Sequence, residues 1–351
     1  MTGRASNNDL ALFRELWIKN DVRGGDAAGI AMSGKSWEVF KEAGLAQNLY
    51  HTKAAQEFFA QMYQERPQMV LGHTRKGTGG TPKDNVNNHP FVTPHLVGVH
   101  NGSISDWWRL DYDQKLRQGV VDSEALYLAL DRLTEKEGVT ASLLDQFYGS
   151  LTGVAALAFW DRLRPHSLWL TRATRPLALG ITWDGTLFFT SEEEHLYDTH
   201  YLLQRFGVAS GLAYTVALPD KIGVEITAKK VGRLVDRLKE KENVTEAEIV
   251  DLLEPFALTA PKAAVTYYDQ YGRYSYSVRP TKHAASSTAV ASSPAVLTSN
   301  SSDPRDDWGE EWEDGYGGYL WDRREEDRTA LQMPSALATL MAEAVQEFVG
   351  A

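Results

Sequence analysis

Arg75 falls where an apolar run, Met69, Val70 and Leu71 followed by Gly72-His73-Thr74, gives way to a loop rich in Gly, Thr and Asn. A guanidinium at such a junction can clamp a carboxylate bidentately. A second apolar run, from Leu96 to His100, closes on Asn101-Gly102. An Asn amide beside the backbone N–H of a glycine, which lets a substrate approach closely, supplies the donors of an oxyanion hole. Asp122 stands just before a helical stretch and offers a carboxylate to an ammonium group. Together these groups would bind a zwitterionic α-amino acid and stabilise a tetrahedral intermediate at an acyl carbon. Each is ordinary alone: Asn-Gly is more often a plain turn, and an aspartate before a helix is usually a cap. Their order along the chain carries the reading.

These residues need elements to hold them. Apolar residues at helical spacing predict helices over residues 9–21, with Asn8 or Asp9 as N-cap, and over 52–66, where Ala55, Phe58, Phe59 and Met62 form one stripe. Further helices are expected over 123–135 and about 140–150. Small apolar residues at 27–32 suit a buried strand. The runs at 153–160, 167–172, 177–183 and 186–190, broken by Arg-Pro and Asp-Gly, predict an antiparallel meander. Strands, then helices, then strands again point to layered α+β packing.

The chain has 351 residues, of which 43% are hydrophobic, ample for one large domain with an appendage. It contains no cysteine, so disulfides, thiolate metal sites and a cysteine nucleophile are excluded from this sequence. No cofactor is expected, and no metal: His73, His89, His95 and His100 lack paired helical spacing and read as structural hydrogen-bonders. The glycine-rich stretch 77–83 fits neither a P-loop nor a dinucleotide fingerprint. Of the net charge of -11, a net -7 falls in residues 303–328, so the body is nearly neutral. No basic stripe suits a nucleic acid, and no apolar run is long enough for a bilayer, so a cytoplasmic protein is expected. Residues 226–282 read as a helical and tyrosine-rich extension, 283–302 as a Ser/Ala/Thr linker, and 303–351 as an acidic tail with a short C-terminal helix. Trp308, Trp312 and Trp321 make that tail a candidate docking peptide for a protein partner.

Arg23-Gly24-Gly25-Asp26-Ala27-Ala28-Gly29, Gly72-His73-Thr74-Arg75, Asn88-His89-Pro90, His100-Asn101-Gly102 and Asp122-Ser123-Glu124 resemble, in order, the signature blocks of class II glutamine amidotransferases. That family includes the glutaminase domain of glucosamine-6-phosphate synthase. The segment 151–160, Arg175-Pro176-Leu177 and Thr190-Ser191-Glu192-Glu193 look like the second half of that domain. The resemblance covers about residues 10–225, giving a domain at 1–225. It implies the N-terminal-nucleophile fold, a four-layer αββα sandwich, and it implies glutamine hydrolysis to glutamate and ammonia for an unknown acceptor. By position Arg75 would bind the α-carboxylate of glutamine, Asp122 its α-amino group, and Asn101 with Gly102 the oxyanion. Thr78 would line the pocket, while Arg23 and Asp26 would organise it.

The family's nucleophile is an N-terminal cysteine whose own amino group is its base. Here Thr2-Gly3 stands where Cys-Gly is expected, which makes Thr2 the candidate catalytic nucleophile. The family's Arg-Trp-Ala-Thr-His becomes Arg75-Lys76-Gly77-Thr78-Gly79, losing an aromatic and a histidine that close the pocket. Three alternatives stand beside glutamine hydrolysis: a catalytically silent binding or structural module, a threonine-nucleophile amidohydrolase acting on another amide, and a start upstream of Met1 that supplies a Cys-Gly strand.

Overall fold

The computed structural model describes residues 5–34, 37–205, 212–241, 243–262, 265–268 and 274–277, which fall in one compact unit, Met1–His283. The linker expected at 283–302 and the tail at 303–351 lie outside the described residues. In chain order the elements are α1 (Asn7–Lys19), β1 (Ala27–Ser33), β2 (Trp37–Ala43), α2 (Ala46–Tyr50), α3 (Lys53–Glu65), β3 (Val70–Arg75), β4 (Phe91–Val92), β5 (Leu96–Ile104), α4 (Asp122–Thr134) and α5 (Ala141–Ser150). There follow β6 (Gly153–Asp161), β7 (Arg164–Ala173), β8 (Ala178–Thr182), β9 (Leu187–Thr190), α6 (Glu193–Arg205), β10 (Leu212–Ala217), β11 (Ile222–Thr227), α7 (Ala228–Glu240), α8 (Glu246–Leu252) and β12 (Phe256–Ala257). A separate hairpin pairs β13 (Val265–Tyr268) with β14 (Tyr274–Ser277). The class is α+β.

α1 begins earlier than its apolar stripe suggests, because Ser6 rather than Asn8 or Asp9 is the N-cap. The Ser6 hydroxyl accepts the Asp9 N–H at 3.1 Å, and the Asp9 carboxylate accepts the Ser6 N–H at 2.8 Å, a reciprocal box that satisfies two helix-end donors. Thr52 caps α3 by accepting the Ala55 N–H. The expected meander is split. β6 and β7 belong to a six-stranded sheet, β12-β11-β7-β6-β5-β4, whereas β8 and β9 form another sheet, β10-β8-β9. The chain changes sheets at Arg175-Pro176, where the imino ring cannot donate to a ladder. A third sheet, β2-β1-β3, includes the strand β2, whose charged residues hide its alternation in the sequence.

Alternation along β6 shows how the sheets stack. Ala155, Leu157 and Phe159 point to one side, into a core with Leu126, Leu130 and Phe147 of α4 and α5. Ala158 and Trp160 point to the other side, into a core shared with Ala31 of β1, Leu71 of β3 and Leu179 and Ile181 of β8. Trp37 stacks on Trp160 with ring centroids 4.4 Å apart, tying β2 to the six-stranded sheet. The other face of β1, through Ala28, Ile30 and Met32, packs against Leu10 and Trp17 of α1 and Phe59 and Met62 of α3.

α7 joins the same central core through Val231, Leu234, Val235 and Leu238, and β11 pairs with β7 along its whole length. The packing therefore runs past residue 225 without a break. Leu234 is fully buried, so Leu234→Ala is expected to destabilise the domain by about 2–5 kcal/mol, transfer and cavity costs together. Urea unfolding checks this; a loss below about 1 kcal/mol would mean that α7 is dispensable to the core.

Candidate functional site

Arg75 ends β3, Asn101 and Gly102 lie near the end of β5, and Asp122 opens α4. All four line one cavity of about 530 Å³, as do Thr78 and Arg23. Asp26 lies outside it. Its carboxylate accepts the Gly77 N–H at 2.7 Å, pinning the loop that follows Arg75. Arg23 forms an ion pair with Glu192 just beyond β9. Thr2 lies outside the described residues.

The Arg75 guanidinium is buried and partly engaged. Nη1 donates to Asn88 Oδ1 at 3.1 Å, and Nη2 donates to the carbonyls of Gly79 and Gly80. Nε–H and one Nη1–H are left for a ligand. Burial lowers its pKa from the ordinary value, opposed by the charges of Asp26 and Asp122. Asp122 has no cap function towards its own helix. Instead its Oδ2 accepts the Ile104 N–H at 2.7 Å, and Ser123 Oγ stands 3.5 Å from Oδ1.

Gly102 has a φ of 156°, and a Cβ there would stand 2.0 Å from the Val154 carbonyl oxygen, so only glycine fits. The β5–β6 register pairs Gly102 with Ala155, and the Ser105 N–H bonds the Thr152 carbonyl at 2.8 Å. In an antiparallel ladder, bonded and non-bonded positions alternate. The Gly102 N–H therefore points away from β6, to the side where Asp122 holds the Ile104 N–H. Asn101 shares a strand face with Val97 and Val99, which look into the central core, and its amide makes no hydrogen bond to another described residue. An oxyanion near this corner would meet an amide N–H and a backbone N–H.

Around these groups stand Asn88 and Lys41, to which the sequence assigned no role, and three histidines expected to be structural hydrogen-bonders. Asn88 holds Arg75 while its Nδ2 donates to the Pro82 carbonyl at 2.7 Å. Lys41 ties β2 to the same loop by donating to the carbonyls of Asn88 and Pro90 at 2.8 and 3.1 Å, and burial lowers its pKa to about 8. His73 Nε2 lies 3.2 Å from the His100 carbonyl, and His100 Nδ1 lies 2.9 Å from Ser123 Oγ. His89 stacks on His73 with ring centroids 4.0 Å apart, yet neither of its buried ring nitrogens has a partner among the described residues. Burial pushes all three histidines below the ordinary value of 6.5, His73 to about 3. The motif Asn87-Asn88-His89-Pro90 was visible in the sequence; its contact with Arg75 was not. Among the described residues no group of three or more His, Asp or Glu side chains is placed to hold a metal, and no helix is long and apolar enough to cross a membrane.

Arg75, Asn101 with Gly102, and Asp122 follow in this order along an α+β chain whose similarities support a class II glutamine amidotransferase-like domain. No family model matches the sequence. Similar proteins are isomerizing glutamine–fructose-6-phosphate aminotransferases. That of Helicobacter pylori is 28% identical over 176 residues, covering 49% of this chain and 28% of the relative. The Shouchella clausii protein is 30% identical over 169 residues, covering 46% and 27%. The Escherichia coli protein is 25% identical over 239 residues, covering 66% and 38%. The chain thus spans about a quarter to two fifths of the length of these relatives. Among solved structures, the glutamine phosphoribosylpyrophosphate amidotransferase from B. subtilis shares 17% identity at a TM-score of 0.45, over 65% of this chain and 46% of that one. A predicted glutamine amidotransferase from Pseudomonas aeruginosa shares 18% identity at a TM-score of 0.32, over 45% and 64%.

Proposed function

We propose that this domain binds glutamine as a zwitterion and hydrolyses its side-chain amide to glutamate and ammonia for an unknown acceptor. The observation that carries the reading is the placement of Arg75, Asn101, Gly102 and Asp122 on the wall of one cavity. In this reading Arg75 takes the α-carboxylate through its uncommitted N–H groups and Asp122 takes the α-ammonium. The Asn101 amide and Gly102 N–H then face the oxygen that gains charge when the amide carbon becomes tetrahedral. Thr78 lines the pocket, and Asp26 and Arg23 hold the two loops that frame it. Thr2 is the chain's own candidate nucleophile, activated by its free amino group after methionine removal. The three hydrophobic clusters support a four-layer αββα sandwich, and the burial of α7 supports a domain that continues through α8.

A second reading, a glutamine-binding module without turnover, is favoured by two observations. The chain has no cysteine, and the loop after Arg75 already occupies part of its guanidinium. Calorimetric titration with L-glutamine, together with ammonia release by the chain, Thr2→Ala and Thr2→Cys, separates them. Hydrolysis is expected in the chain and Thr2→Cys and lost in Thr2→Ala. Binding with no ammonia from any form assigns the module reading, and absence of binding overturns both.

A further inference from the structure

Lys41, Gly29 and His73 stand side by side across the sheet β2-β1-β3. The β1–β2 register pairs Gly29 with Lys41, and the β1–β3 register pairs it with His73. Paired positions share a face. That face is the one turned to the central core, because Leu71, two residues before His73, and Ala31, two after Gly29, lie in it. The segment Asn88-His89-Pro90 lies across this row. Lys41 Nζ donates to the Asn88 carbonyl at 2.8 Å and to the Pro90 carbonyl at 3.1 Å. Between these two, the His89 carbonyl passes over Gly29, where a Cβ would collide with its oxygen, and the His89 ring stacks on His73. Each of the three strands thus seats one part of the segment.

Arg75 is two residues past His73, so its side chain leaves β3 from the same face, one step along the strand. Its Nη1 donates to Asn88 Oδ1 at 3.1 Å. The direction of that oxygen is set from the other end of the amide, where Nδ2 donates to the Pro82 carbonyl at 2.7 Å and to Asn85 Oδ1 at 3.0 Å. Where Asn88 rests on the sheet therefore governs where the guanidinium points. Asn88 and Pro90 are buried, and buried carbonyls seldom go without a donor, so the segment stays with the ammonium that serves it. Lys41 is held in turn: its Nζ lies 5.3 Å from the centre of the Phe91 ring, and the Glu124 carboxylate of α4 favours its charged form.

Lys41 does not line the cavity, so any effect it has on a ligand passes through other residues. We propose that Lys41 is a positioning residue for the carboxylate clamp: it holds residues 88–90 on the sheet, Asn88 holds the Arg75 guanidinium, and the uncommitted N–H groups of Arg75 are thereby aimed at the α-carboxylate of the ligand. The inference rests on the reading above that Arg75 receives a carboxylate. A lysine suits the task because one ammonium reaches two carbonyls on either side of a third.

Lys41→Met keeps the stem and removes the donors, and Lys41→Arg keeps a charged donor. In the ligand-free 351-residue chain, phenylglyoxal modification of Arg75 is followed by peptide mass, with Arg14, which pairs with Glu15 and Tyr50, as internal control. Arg75 is expected to react at least about tenfold faster in Lys41→Met, because its held form opens more often. Arg14 should react as before, and Lys41→Arg should bring Arg75 back near its original rate. Calorimetry should show L-glutamine affinity at least about tenfold weaker in Lys41→Met, the loss of a charge-assisted hydrogen bond, and restored in Lys41→Arg. An unchanged Arg75 rate overturns the proposal. So does equal acceleration at Arg14, which marks general loosening, or a faster Arg75 with glutamine affinity intact. If Lys41→Met does not fold, Lys41→Gln, which removes the charge and keeps an amide donor, is read by the same criteria. If the unsubstituted chain binds no glutamine, the function proposed above fails, and the Arg75 modification rates alone decide the role of Lys41.

Discussion

Arg75→Ala is expected to weaken L-glutamine binding by at least about 30-fold, roughly 2 kcal/mol, because truncating one partner of a buried charge-assisted pair leaves the other without compensation. Asp122→Ala should produce a loss of similar size for a different reason. It removes the ammonium partner and also releases the Ile104 N–H that sets the corner beside Gly102. The two variants differ in their structural cost. Arg75 anchors Asn88 and the carbonyls of Gly79 and Gly80, so its loss loosens the loop, whereas Asp122 holds a single backbone N–H, that of Ile104. Circular dichroism and thermal unfolding should show the fold retained in both. Calorimetric affinities unchanged in both variants would overturn the assigned roles.

Acid is expected to destabilise the protein through the histidines behind the site. His89 and His100 are buried, and His73 opens partly onto the cavity. Burial holds all three below the ordinary value of 6.5 in the native protein, with Asp122 opposing this at His100. In the unfolded chain each takes up a proton near pH 6.5. Below that pH the unfolded state binds more protons, so stability is fully present above about 6.5 and falls as pH drops; for His73 the loss continues until about pH 3. Each fully shifted histidine contributes a slope of up to about 1.4 kcal/mol per pH unit, and His73 contributes less where water reaches it. Urea unfolding at pH 7, 6 and 5 measures the slope. His89→Phe keeps a ring between His73 and Phe91 and removes one titrating group, so it should reduce the slope by about a third. Equal slopes in the two proteins would show that His89 is protonated alike in the folded and unfolded states.

The four residues that the fold brings to one cavity each sit at a junction that local sequence marks. Arg75 follows an apolar run, Gly102 follows an asparagine at a strand end, and Asp122 precedes a helical stripe. The partners of these groups were not legible. Asn88 reaches Arg75 across a loop, Lys41 reaches that loop from β2, and Asp122 takes an N–H from β5 rather than capping its own helix. Such contacts depend on how elements stack, which periodicity does not encode. The stripe of Val231, Leu234, Val235 and Leu238 was masked by the charges around it, so α7 read as an appendage although it closes the central core.

By itself the sequence determined the α+β class, the helices and most of the strands, the absence of any thiol, and the order of Arg75, Asn101, Gly102 and Asp122 along the chain. Those follow from residue type and local spacing, which set backbone preference and side-chain chemistry. Only the tertiary structure decided that the second half of the apparent meander changes sheets, that three histidines pack together beside Asn101 and Gly102, and that Arg75, Asn101, Gly102 and Asp122 meet on one cavity. The reason is physical. A strand's alternation tells which face is apolar, but which edge finds a partner depends on what other chain segments bring to it.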